Sequence, residues 1–179
     1  MNRQEEHLVR TNRATSRKDE QPLGIFKFEP ADDETAPDTT DDVQVMHVMG
    51  VRATKKIATL TELVRHGAPL KVISKLEQVY GASQKEMYDY LSIPPSTFNR
   101  RRQRREHLSR QETDRAVRYA RLYKLAKDMM QGNDAATLGW LKSPKKTFGG
   151  ETPIERATTE AGAAEVKQLI GRIRHGVFS

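Results

Sequence analysis

Apolar residues recur at helical spacing along most of this chain, and the polar residues between them punctuate it into short helices. Thr61 to His66 fits a short helix stopped by Gly67; Pro69 opens another that runs to about Tyr80 and ends at Gly81, burying Val72, Ile73, Leu76 and Val79. A third helix follows Ser83, which can cap it while Glu86 completes a capping box, with Met87 and Leu91 on its apolar side. Leu91, Ser92 and Ile93 form a turn, and a fourth helix opens near Pro95, where a proline gives up only an amide without an intrahelical partner. Ser109 to Met130 predicts a long helix with Glu112 completing a second box; its apolar positions are Ala116, Val117, Ala120, Leu122, Tyr123, Ala126 and Met130. Gly132 and Asn133 break the pattern. Asp134 to Leu141 is a further helix, Ser143 to Gly150 a loop, and Thr152 caps a helix opened by Pro153. The last helix spans about Gly162 to His175, with Val166, Leu169, Ile170 and Ile173 on one face and Gly176 as the stop. Gly171 inside it calls for a close backbone contact, since glycine costs about 1 kcal/mol there relative to alanine.

Upstream of these helices the pattern changes. Val43 to Val51 alternates well enough for a short strand or an extended lead-in. Residues 1–42 are polar and split into a basic stretch (Arg3, Arg10, Arg13, Arg17, Lys18) and an acidic one (Glu29, Asp32, Asp33, Glu34, Asp38, Asp41, Asp42), which predicts a disordered arm. Within it only Leu23 to Phe28 has the apolar content to dock on a partner or on the folded body. The spaced acids lack the alternation and the glycine of a calcium loop. The expected architecture is all-α: an arm over 1–42, a helix-turn-helix domain over 43–131 and a smaller helical domain over 132–179.

The stretch from Ser83 to Arg105 has the layout of a helix-turn-helix DNA reader: two short helices, a tight turn, and clustered arginine at the end of the second. Phe98 points inward, leaving Ser96, Thr97, Asn99 and Arg100 on the outer side of the reading helix; Gln84, Lys85, Arg101, Arg102, Arg104 and Arg105 complete the expected contacts to base edges and phosphates of double-stranded DNA. Two residues depart from the usual pattern. Ser92 occupies a turn position that glycine fills more comfortably, and Tyr88 is bulky where such helix pairs carry a small residue. Arg110, Arg115, Arg118, Arg121, Lys124 and Lys127 line a second basic face on the long helix, either an extension of the phosphate surface or a solvated side.

Charge supports an anionic partner: the net charge is +7 and the isoelectric point about 9.7. No apolar run is long enough to span a membrane and the N-terminus lacks a secretion signal, so a cytoplasmic protein without membrane contact is expected. The chain has no cysteine, which removes disulfides, thiolate metal sites and cysteine nucleophiles. Its five histidines are scattered singly, and Gly149 and Gly150 lack the lysine and hydroxyl residue of a phosphate loop. Neither catalysis nor a cofactor or metal is expected.

From Trp140 to Gly176 the chain resembles the toxin-binding domain of the Xre/MbcA/ParS antitoxins, through Trp140, Leu141, Pro144, Phe148, Gly149, Gly150, Pro153, Gly162, Val166, Leu169, Ile173 and Gly176. The resemblance extends upstream through the helix-turn-helix, from roughly Leu60. It implies a type II antitoxin that neutralises a RES-domain toxin, one that consumes NAD+ or transfers ADP-ribose from it, and that binds operator DNA to repress its own operon. Trp140, Leu141, Phe148, Gly149, Gly150, Val166, Leu169 and Ile173 would then contact the toxin. Arg172, Arg174 and His175 form a cationic tip that either enters the toxin's anion pocket or complements the helix dipole. A homodimer or a larger toxin–antitoxin assembly is expected on a palindromic operator. The competing reading is a stand-alone transcription regulator whose C-terminal domain only dimerises.

Overall fold

The computed structural model describes residues 39–176, and all regular structure among them is helical. The helices are α1 (Thr39–Val48), α2 (Leu60–His66), α3 (Lys71–Tyr80), α4 (Gln84–Leu91), α5 (Pro95–Arg104), α6 (Arg110–Met129), α7 (Asp134–Lys142), α8 (Pro153–Arg156) and α9 (Glu160–Arg174), with one 3-10 turn at Lys146–Phe148. The Leu23 to Phe28 segment and the arm up to residue 38 lie outside the described residues. None of the described helices is long and apolar enough to cross a membrane.

Helix α6 is the spine. Twenty residues give it a length of about 30 Å, and α1, α2, α3, α4, α7 and α9 all pack against it. Its buried side, with Ala116, Tyr119, Ala120, Tyr123 and Ala126 in that order, alternates small and large residues so that neighbours can approach closely. The tyrosine hydroxyls are satisfied within this core. Tyr80 donates to the Tyr119 carbonyl at 2.8 Å, Tyr119 to the Ile154 carbonyl at 3.3 Å, and Tyr123 to Asp134 at 2.6 Å. Burial raises the pKa of Tyr80 and of Tyr119 above the ordinary tyrosine range, so these phenols stay neutral donors. The network ties α3, α6, α7 and α8 together, and the residues before and after Gly132 share one core.

The expected strand at Val43 to Val51 is a helix instead. Val45, Met46 and Met49 are fully buried at helical spacing, and Asp41 and Asp42 occupy the first turn, where the positive end of the helix favours them. A strand needs a partner strand, and among the described residues no segment is extended to offer one. The helix starts at Thr39, so the last four residues assigned to the arm belong to the folded body. Asp42 accepts from the Leu60 amide at 2.9 Å, and Asp41 pairs with Lys124 at 3.0 Å.

Local signals placed the remaining ends. Ser83–Glu86, Ser109–Glu112 and Thr152–Glu155 form full capping boxes, as does Thr59–Glu62 at the start of α2. Gly67 lies between α2 and α3 with φ of 80°, and a Cβ there would meet the Leu108 carbonyl oxygen at 2.3 Å. The backbone crossing this permits is fixed on both sides: the Leu108 amide donates to the Ala68 carbonyl at 2.9 Å, and the Ala68 amide donates to Thr113 Oγ1 at 2.9 Å.

Candidate functional site

Helices α4 and α5 meet across a turn in which Ser92 adopts the left-handed conformation, φ 51°, while its amide bonds to the Asp89 carbonyl. That conformation costs a side-chain-bearing residue about 1 kcal/mol. Tyr88 does not disrupt the pair. Its ring is buried against Phe98, with centroids 5.1 Å apart and planes tilted by 44°, and it fills the space between the two helices. Pro95 opens α5, and no side chain caps its first amides.

Most of the expected contact residues on this pair are open to solvent. Gln84, Lys85, Ser96, Asn99, Arg100, Arg102, Arg104 and Arg105 are exposed, and Thr97 is half-buried. Arg104 approaches Glu106 at 3.8 Å with both side chains in solvent, a pairing of little energetic consequence. Arg101 departs from the expectation. Its side chain, 15 % exposed, turns inward to Glu112 at 2.5 Å and also donates to the His107 carbonyl at 3.1 Å, while its Nε finds no acceptor. The sequence could not separate Arg101 from its neighbours, because its partner lies eleven residues on, beyond a turn.

The basic face of α6 is mostly engaged within the protein. Arg118 pairs with Glu160 at 2.8 Å and bonds the Thr158 carbonyl, Lys124 holds both Asp41 and Asp128, Lys127 pairs with Asp134 at 2.7 Å, and Arg110 donates to the Arg65 carbonyl. These cations fasten α1, α7 and α9 to the spine, so neither expectation for this face describes it. Among the stripe's residues Arg110 and Arg121 are exposed and the others half-buried. An open groove of about 800 Å³ between α1, α6 and α9 is lined by Arg118, Arg121 and Lys124 of this face and by none of the residues expected to touch toxin.

In the C-terminal part the expected contact residues divide. Leu141, Phe148 and Val166 are core, packed with Ile154, Ala157 and Ile170. Trp140 is half-buried beneath Lys145, whose Nζ stands 5.0 Å from the ring centroid. Gly149 and Gly150 form an exposed turn after Phe148, with φ of 67° and 95°. On α9, Leu169 and Ile173 are half-buried one turn apart, whereas Arg172, Arg174 and His175 are exposed. Helical geometry puts Arg172 beside the Leu169–Ile173 stripe and turns Arg174 away from it. Arg156 was not anticipated: it bridges Glu151 at 3.2 Å and Glu165 at 2.7 Å and lies over the Phe148 ring, joining the glycine turn to α9. Its partners flank it at five and nine residues, a spacing no helical rule reports.

Hydrogen bonding also sets a pH limit on the fold. Bonds from the Ala58 and Thr59 amides lower the pKa of Glu62, bonds from the Ser83 hydroxyl and amide lower that of Glu86, and bonds from the Thr152 amide and hydroxyl lower that of Glu155. Lys127 and Tyr123 do the same for Asp134. Carboxylates held this way stabilise the fold fully above their unfolded values, about 4.3 for glutamate, and the contribution is lost as pH falls through the lower folded values. Thermal unfolding followed by circular dichroism is expected to give a midpoint nearly independent of these groups from pH 7 to 5 and falling steeply below about pH 4. A midpoint that held to pH 2 would contradict this account of the helix ends.

Comparison with known proteins gives two matches along the chain. Residues 59–121 match the antitoxin Xre-like helix-turn-helix domain, and residues 125–176 match the antitoxin Xre/MbcA/ParS C-terminal toxin-binding domain. The chain is 31 % identical over 120 residues to an "Antitoxin Xre" of Yersinia enterocolitica, covering 67 % of this chain and 81 % of that protein. An "Antitoxin Xre" of Photorhabdus laumondii is 28 % identical over the same length and coverage. A "Prs ADP-ribosylating antitoxin" of a Sphingobium species is 26 % identical over 125 residues, 65 % of this chain and 79 % of that protein.

Proposed function

Because this chain belongs to the Xre family of antitoxins, we propose that it silences a RES-domain toxin through the end of α9 and represses its own operon by reading operator DNA with α5. The observation that carries this is the division of exposed side chains. Polar and cationic groups suited to a duplex are gathered on α4 and α5, and a half-buried apolar stripe flanked by a free arginine stands at the far end of α9. Leu169 and Ile173 supply apolar contact, and Arg172 extends toward the anion pocket where a toxin that consumes NAD+ or transfers ADP-ribose holds its dinucleotide. The relative named for ADP-ribosylation supports that toxin chemistry. The protein acts by binding, with no catalytic step of its own.

On DNA, Ser96, Thr97, Asn99 and Arg100 read bases from the start of α5, and Lys85, Arg102, Arg104 and Arg105 hold phosphates. One ten-residue helix covers few base pairs, so a symmetric dimer or a larger assembly with toxin occupies a palindromic site. Copurification with a RES-domain toxin, followed by gel shift of the operon's promoter at 50 and 200 mM salt, tests both halves. Toxin is expected to come down with the protein, and with six or more phosphate contacts affinity is expected to fall about a thousandfold or more across that salt range. A protein that shifts the promoter yet retains no toxin would instead be a stand-alone regulator, and a flat salt response would remove the basic face from the account.

A further inference from the structure

Helix α5 buries one apolar side chain, Phe98, so its rotation about that point has to be set by other contacts. Arg101 sits three residues later on the same face. We propose that Arg101 is a positioning residue for the reading face: it touches no phosphate, and through Glu112 and the His107 carbonyl it sets the direction in which Ser96, Asn99 and Arg100 are presented. The proposal rests on the reading of α5 as the operator-reading helix.

The anchor to which Arg101 is tied is itself fixed. Glu112, with a side chain 7 % exposed, accepts from the Ser109 amide at 2.7 Å through the same oxygen that meets Arg101, and its own amide donates to Ser109 Oγ. The next residue but three back, Leu108, is bonded to Ala68, and Thr113 receives the Ala68 amide, so the α5–α6 connection is fastened to the α2–α3 connection on both sides of the ion pair. Arg101 therefore links the reading helix to the most heavily bonded joint of the helix-turn-helix. Both bonds leave from one nitrogen, Nη1, at the end of the guanidinium; a lysine ammonium on a shorter, flexible stem is not held at that point by a planar group. Arg100, Arg102, Arg104 and Arg105 beside it are exposed, so charge alone does not explain why one arginine of the run turns inward.

The test uses the full chain and its own promoter DNA, titrated at several salt concentrations. Arg101→Met, Arg101→Lys and Glu112→Gln are each expected to weaken binding about tenfold or more while the slope of log affinity against log salt stays at the wild-type value. The Arg101→Met, Glu112→Gln double variant is expected to be weaker than wild type by much less than the product of the two single effects, because both remove one link. Arg102→Gln, the phosphate-contact control, is expected to reduce the slope by about 0.9. A slope reduced by about 0.9 in Arg101→Met together with wild-type binding by Arg101→Lys would overturn the proposal and make Arg101 a phosphate contact. Hydrogen exchange guards against simple unfolding: in Arg101→Met the α5 amides are expected to lose protection while those of α9 keep it, and equal loss in both would count against a local positioning role. Wild-type protein that ignored the promoter would sink the reading of α5 itself, a result distinct from any of these because no wild-type slope would exist.

Discussion

Gly162→Ala is expected to lower stability by about 3 kcal/mol, roughly 10 °C in unfolding midpoint, and to disable toxin neutralisation with it. A Cβ at this position would lie 1.9 Å from the Arg156 carbonyl oxygen and 2.9 Å from its carbon. Both obstacles are backbone, at the end of α8, so no side chain can swing aside. The first turn of α9 would have to move off α8, and with it the Arg156 bridges and the seat of Ile170 in the core. Gly171, on the same helix, is the control. Nothing lies within 4 Å of a Cβ there, so Gly171→Ala is expected to stabilise α9 by up to about 1 kcal/mol through helix propensity. Differential scanning calorimetry of the two variants reads both effects.

Leu141→Ala carries the second large effect, a loss of about 2 to 5 kcal/mol, because Leu141 is fully buried where α7 meets the C-terminal core. Toxin binding by this variant is expected to fall only as the folded fraction falls. Leu169→Ala is expected to do the opposite: its half-buried side chain leaves stability within about 1 kcal/mol, while affinity for a RES-domain toxin drops at least tenfold. Chemical denaturation alongside a toxin pull-down separates the two. If Leu141→Ala bound toxin poorly while keeping wild-type stability, the assignment of Leu141 to the core would be wrong.

Helix ends were legible because their causes are local. Ser83 with Glu86, and Ser109 with Glu112, state a helix start within four residues, and the structure places the starts of α4 and α6 there. What depends on distant partners was not. Arg118 looks like a free cation along the chain and Lys124 shows only Asp128 one turn on, yet Glu160 and Asp41, which also hold them, lie far away in the sequence. Val43 to Val51 alternates like a strand, and only its packing against α6 makes it a helix. The glycines teach the same point. Gly171 drew attention by its place in mid-helix, whereas Gly162, the glycine that α9 needs, sits near a helix start where glycine raises no question. In the C-terminal part, apolar residues at helical spacing could not be sorted into core and contact, since Leu141 and Leu169 differ only in what covers them.

Two surfaces on one rigid spine make a direct claim: each can be lost without the other. The measurement is a pair of charge reversals, Arg100→Glu with Arg102→Glu on α5 and Arg172→Glu with Arg174→Glu on α9, each assayed for promoter binding and for rescue of cells expressing a RES-domain toxin. The account predicts that the first pair abolishes the promoter shift and still rescues growth, and that the second still shifts the promoter and fails to rescue. Loss of both activities in either folded variant, or full rescue by the α9 pair, would contradict it.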